Sequence, residues 1–215
     1  LAVVSYNILN LAKFLGKFVT DLKTGKRSQV TPAEVKSPYH TQNAAKAIIA
    51  MNPDILFLQE VENLKALDEF NRQYLSNAYY PFLIEGNDER GIDIGVLVRR
   101  SLPLSYEYHS FKEWKGNYQG NRIPLFSRDA PVLQIYLTET SGKKRPLMNL
   151  LGVHLKSKRD SPNAPQSFER RSLQLKALLK IQKLLPEKVP FVVLGDFNTD
   201  VNGPDGSSPS KMLKS

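Results

Sequence analysis

A layered α/β (α+β) fold is predicted by three features of the chain. Apolar strands alternate with amphipathic helices toward both ends, shorter hairpin-spaced strands fill the middle, and no internal repeat or domain boundary interrupts them. Strand–helix alternation favours parallel pairing and hairpins favour antiparallel pairing, so the sheets should be mixed and covered by helices.

Taken in order, residues 1–9 (LAVVSYNIL) read as a strand. Residues 10–38 are basic and irregular, broken by Gly16, Gly25 and Pro32, and a stretch of that length is a candidate functional loop. Thr41 is expected to cap a helix with Ala45, Ile48 and Ile49 on one face, which Asn52-Pro53 stops ahead of a buried strand at 55–58. A second helix over 64–75 places Leu64, Leu67, Phe70, Tyr74 and Leu75 at three- and four-residue steps. Strands are expected at 80–84, 92–99, 104–111, 132–138 and 147–155, with Ser141-Gly142-Lys143 as a hairpin turn and 112–131 as a loop rich in Gly, Asn and Arg. A basic helix over 168–185 should bury Leu175, Leu178, Leu179 and Leu185, then pass Pro186 and Pro190 into a strand at 191–194. After Asn198 no strand or helix is expected.

The 215 residues are 41% hydrophobic and 24% charged, which excludes the disordered and membrane classes, and no apolar run reaches the roughly 18–20 residues of a bilayer span. Without cysteine there is no disulfide, thiolate zinc site or thiol nucleophile, so a metal must be held by carboxylate, amide or imidazole groups. The chain opens at Leu1 directly into a strand, which suggests a processed N-terminus and a removed signal peptide. The compartment stays open, with secreted and periplasmic locations allowed. A monomer is expected. The net charge of +9 favours a polyanionic partner such as nucleic acid or an anionic lipid surface, though it also serves general solubility.

Chemistry-bearing side chains interrupt the most apolar strands at their C-terminal ends: Ser5-Tyr6-Asn7, Gln59-Glu60, Gly152-Val153-His154 and Gly195-Asp196-Phe197-Asn198. Any one alone is more simply a polar residue ending a strand. Together they point to a shared crevice, because strand ends are where a rigid scaffold gives way to solvent. Glu60 and Asp196 offer hard carboxylate oxygens and Asn7 and Asn198 neutral amides, a set suited to Mg²⁺ or Mn²⁺ held by few protein ligands and several waters. His154 has no second His or Cys at zinc-motif spacing, and a lone His is more often structural than catalytic.

The segments SYNILN, PDILFLQEVEN, RGIDIGVLVRR, FSRDAPV, GVHLKSK and VVLGDFNTD, in that order, resemble successive motifs of the metal-dependent endonuclease, exonuclease and phosphatase superfamily, the fold of pancreatic deoxyribonuclease. The resemblance implies a four-layer α/β/β/α sandwich of two mixed sheets and Mg²⁺-dependent hydrolysis of a phosphodiester or phosphomonoester, most simply by a nuclease. It implies that Glu60 is the main metal ligand and that Asn7 assists the metal and orients phosphate. Asp196 and Asn198 would hold the nucleophilic water or the phosphate, and Arg128 would contact a substrate phosphate. His154 would contact the scissile phosphate or act as an acid, supported by Asp93. Plainer readings remain: Arg128 capping a turn beside Asp129, and Asp93 in an exposed ion pair with Arg90 or Arg99.

Two departures stand out. Gly91 stands where the deoxyribonuclease has a tyrosine, two residues before the Asp93 position, and nothing after Asn198 supplies the Asp-His pair that ends the family pattern and provides its general base. Residues 1–215 are therefore expected to be a single domain lacking its C-terminal strands. The alternatives are a sphingomyelinase or inositol-phosphate phosphatase of the same fold and, in another class, a catalytically inactive binding protein.

Overall fold

Two parallel strand pairs, each joined by a connection that contains a helix, carry the architecture. The computed structural model describes residues 1–11, 18–20, 27–29, 36–88, 90–158 and 167–199, and divides into two units, Leu1–Leu102 and Pro103–Ser215. The expected absence of structure after Asn198 falls largely outside the described residues, as does most of the 10–38 stretch.

The first unit contains β1 (Val3–Leu11), β2 (Phe18–Thr20), β3 (Arg27–Gln29), α1 (Pro38–Met51), β4 (Ile55–Val61), α2 (Leu64–Tyr74), β5 (Tyr79–Phe82) and β6 (Asp93–Arg99). β2 and β3 pair antiparallel within the stretch expected to be irregular; strands of three residues are too short for alternation to be read. The main sheet has the order β1-β4-β6-β5, with β1 and β4 parallel and the other pairs antiparallel. Every residue of β4 except Glu60 is buried, as its unbroken apolar run requires.

The start of α1 corrects the expectation for Thr41. Ser37 is the N-cap, its Oγ accepting the His40 N–H, and Pro38 begins the helix, where its preset φ fits and its missing N–H costs nothing. Thr41 instead donates its hydroxyl to the Ser37 carbonyl at 3.0 Å and is buried with Ala44, Ala45 and Ile48, while Ile49 turns to solvent. Asn52, in the left-handed conformation, caps the other end. In α2, Asn63 accepts the Ala66 N–H at 2.8 Å as N-cap, and the buried face is Ala66, Leu67, Phe70 and Asn71; Leu64, in the first turn, is exposed. The core of this unit gathers Ile48, Leu56, Leu58, Leu67, Phe70 and Leu97.

The second unit contains β7 (Leu104–His109), β8 (Lys115–Tyr118), β9 (Asn121–Pro124), β10 (Val132–Thr138), β11 (Lys144–His154), α3 (Ser167–Gln182) and β12 (Phe191–Asp196). Its main sheet, β12-β11-β10-β7, again has one parallel pair, β11 with β12, followed by antiparallel neighbours. β10 and β11 are joined through the expected Ser141-Gly142-Lys143 turn. The 112–131 region is not only loop. β8 and β9 form a hairpin whose two turn residues, Gln119 and Gly120, both have positive φ, as a type I′ turn needs. Its strands are largely Lys, Gly, Asn and Arg, so no β pattern marks them.

Leu175, Leu178 and Ile181 of α3 share a core with Leu151 and Val153 of β11 and with Leu155 just after it, whereas Leu179 and Leu185 are only partly buried. The helix ends at Gln182, so Leu185 lies beyond it. Part of its basic character is structural. Arg171, only 3% exposed, donates to the Lys156 and Ser157 carbonyls, and Arg170 donates to those of Pro124 and Leu125. Two mixed four-stranded sheets with few helices therefore agree with the predicted fold class.

Candidate active site

In a parallel pair both strands end on the same side, and each unit places chemistry-bearing residues at that end. In the first unit β1 and β4 run in register from Val3↔Ile55 to Asn7↔Gln59, and pairing resumes only at Leu11↔Val61. Three residues of β1 therefore oppose Glu60 alone. On its other side Glu60 is the extra residue of a bulge against β6, since Gln59 pairs with Ile94 and Val61 with Asp93. Glu60 has φ 67°, and Leu9 and Asn10 both have φ 54°. Left-handed backbone at non-glycine residues costs on the order of 1–3 kcal/mol each and is concentrated at functional sites.

Hydrogen bonds hold this arrangement. Asn7 accepts the Leu9 N–H on Oδ1 at 3.0 Å, which leaves its Nδ2 to donate to Glu60 Oε1 at 3.4 Å. The Asn10 N–H donates to Glu60 Oε2 at 3.2 Å. Beneath them Gln59, 1% exposed, exchanges hydrogen bonds with the Ser5 hydroxyl. Asn7 thus orients the Glu60 carboxylate directly, while Glu60 stays partly open to solvent. Lys36, which sequence reasoning missed, donates its ammonium to the carbonyls of Ile8 and Leu9. Partial burial lowers the Lys36 pKa from its ordinary value, and the nearby Glu60 carboxylate opposes that shift.

Asp93 is 2% exposed and accepts the Gly86 N–H at 2.9 Å. The exposed ion pair weighed for it does not form, because Arg90 pairs with Asp88 and Arg99 with Asp54.

In the second unit the parallel register sets His154 opposite Asp196. The His154 side chain is 4% exposed, and its Nε2 lies 3.7 Å from Asp196 Oδ2. That separation exceeds a hydrogen bond and becomes an ion pair when the imidazole is protonated. Asp196 Oδ1 accepts the Asn198 N–H at 2.9 Å, and Asn198 Nδ2 donates to the Leu155 carbonyl at 3.0 Å, tying the ends of β11 and β12 together. Gly195 makes this approach possible: at φ 138° its absent Cβ would lie 2.0 Å from the Val153 oxygen.

Arg128 is 6% exposed with Nη1 3.4 Å from Ser127 Oγ. The adjoining turn is tied by Asp129, whose Oδ1 accepts the N–H groups of Phe111 at 2.8 Å and Ala130 at 2.7 Å. Burial pushes the Asp129 carboxyl pKa up, opposed by those backbone hydrogen bonds.

Within the described residues the structure therefore brings Asn7 to Glu60 and His154 to Asp196 and Asn198. Among the described residues no group of three or more His, Cys, Asp or Glu is placed to hold a metal ion. No helix among them is long and apolar enough to cross a membrane.

Solved structures share the fold. The human Nocturnin catalytic domain with bound sulfate anion is 17% identical with a TM-score of 0.63, over 99% of this chain and 68% of that one. An endonuclease/exonuclease/phosphatase family protein from Bacteroides thetaiotaomicron is 16% identical with a TM-score of 0.60, over 98% and 68%. A humanized D. rerio TDP2 is 22% identical with a TM-score of 0.50, over 74% of this chain and only 58% of that one. The chain thus spans between about three fifths and two thirds of these relatives. No functionally curated protein matches it significantly. The sequence profile of one family matches residues 4–215, and the chain belongs to that family, the Endonuclease/Exonuclease/phosphatase family.

Proposed function

We propose that the protein hydrolyses phosphoester bonds with the help of a divalent cation, Mg²⁺ or Mn²⁺, and that its substrate is nucleic acid. The observation that carries this reading is Glu60: a partly exposed carboxylate on a strained bulge, both oxygens held by neighbouring N–H donors. The donor set fits the group, since Glu60 offers charged oxygens and the Asn7 amide steadies them, and hard cations prefer oxygen. Bound there, the cation would polarise a phosphoryl oxygen and stabilise the leaving oxygen.

The chain's own groups divide the remaining work. Asp196, with one oxygen fixed by the Asn198 N–H, is suited to align an attacking water. His154 in its protonated form donates to a phosphate oxygen, with Asp196 holding the charged imidazole. Arg128 supplies a guanidinium for phosphate, and the Asp93 carboxylate accepts the Gly86 N–H. Asn198 tethers rather than donates, because its Nδ2 is engaged by Leu155.

The net charge of +9 suits a phosphate-rich polymer. The test is Mg²⁺-dependent turnover of plasmid DNA, RNA, sphingomyelin vesicles and inositol phosphates by the full gene product, with binding measured across a salt series. Affinity for DNA or RNA should fall steeply with salt, because each neutralised phosphate releases counterions. A flat profile together with turnover of a small phosphate ester would reject the polymer.

A further inference from the structure

Leu9, Asn10 and Glu60, all with left-handed backbone, surround one carboxylate, and such conformations persist only where their neighbours over-determine them. On the N–H side the constraint comes from Asn7 Oδ1, accepting from Leu9, and from Glu60 Oε2, accepting from Asn10. On the carbonyl side it comes from Lys36, whose ammonium donates to the oxygens of Ile8 and, at 3.3 Å, Leu9. Lys36 is itself anchored, because it precedes Ser37, the N-cap of α1, whose oxygens accept from the backbone amides of His40 and Thr41. A long flexible side chain is thus launched from a fixed helix start onto two carbonyls 27 and 28 residues earlier in the chain.

We propose that Lys36 is a positioning residue for Glu60, holding the end of β1 in the turn that presents the Asn7 amide and the Asn10 N–H to that carboxylate. The inference deepens the reading of Glu60 as a metal ligand and rests on it. A cation beside a metal site could also act in the opposite sense, since its charge repels a second cation. The two roles predict opposite changes when the charge is removed.

Mn²⁺ binding by titration calorimetry, compared among wild type, Lys36→Met, Lys36→Arg and Glu60→Gln, separates them, with amide hydrogen exchange of Leu9 and Asn10 recorded on the metal-free proteins. Lys36→Met should weaken Mn²⁺ binding about 10–100-fold, the range for partners that orient a metal ligand, and should speed exchange of both amides. Lys36→Arg, which keeps the charge and several donors, should recover both. Equal or tighter Mn²⁺ binding by Lys36→Met, or unchanged exchange, would overturn the proposal. A wild type whose Mn²⁺ affinity does not depend on Glu60 would instead reject the metal reading. If Lys36→Met does not fold, Lys36→Gln takes its place: retained donors should give intermediate exchange, and wild-type exchange would overturn the clamp.

Discussion

Replacing Gly195 by alanine should part β12 from β11 beside His154. The new Cβ would stand 2.0 Å from the Val153 oxygen, whereas carbon–oxygen contacts begin near about 3.3 Å. Relief requires the strands to separate by roughly 1.3 Å at the Val153↔Gly195 pair, one residue before His154↔Asp196. Ladder hydrogen bonds of ordinary length would then exceed bonding distance, at about 1 kcal/mol each, and φ 138° adds on the order of 1–3 kcal/mol for a residue with a side chain. The destabilisation should total about 3–5 kcal/mol, a fall in Tm of roughly 6–20 °C for a domain of this size. Thermal and urea unfolding measure it, and the gap between His154 and Asp196 should widen in a structure of the variant. A loss below about 1 kcal/mol would refute the close approach.

Asp196→Asn keeps the oxygen that accepts the Asn198 N–H, so the fold should hold while kcat of the full gene product drops by about 100-fold or more with KM little changed; equal effects on both would indicate a structural role. Asp129 titrates with a pKa raised by burial, so the folded chain binds its proton more tightly than the unfolded chain does. The stability this gives is present below the unfolded pKa and lost as pH rises through the folded one. Asp129→Asn lacks that titration yet retains Oδ1 for Phe111 and Ala130, so its Tm relative to wild type should climb as pH rises above the ordinary carboxyl range, about pH 4. A pH-independent difference would refute it.

The strand ends that carry the site were legible because the signal is local: an apolar run broken by a polar residue, as at Leu58-Gln59-Glu60 or Leu194-Gly195-Asp196. What Glu60 does there was not legible. Its bulge arises from pairing with β1 on one side and β6 on the other, strands some 50 and 30 residues away in the chain. Lys36 escaped notice for the same reason, since its partners lie across a long connection and no spacing links them. The start of α1 shifted because Ser37-Pro38 supplies a cap that residue periodicity does not register, whereas α2 begins at Leu64 as expected. Arg171 and Gln174 belong to a helix whose sequence reads only as basic, yet both are buried, with the Lys156, Ser157 and Leu125 backbone groups as hydrogen-bond partners. The β8–β9 hairpin is formed by turn chemistry at Gln119-Gly120 rather than by strand propensity.

The metal function of Glu60 is tested most directly by titrating the protein with Mg²⁺ and Mn²⁺ and repeating the titration on Glu60→Gln. Glutamine preserves volume and one acceptor oxygen for Asn7 or Asn10, so the fold, checked by thermal unfolding, should be kept. The charge that attracts the cation is lost, and affinity should fall by at least about 100-fold, beyond the 10–100-fold typical of residues that only orient a ligand. Metal affinity in the folded variant equal to that of wild type would contradict it.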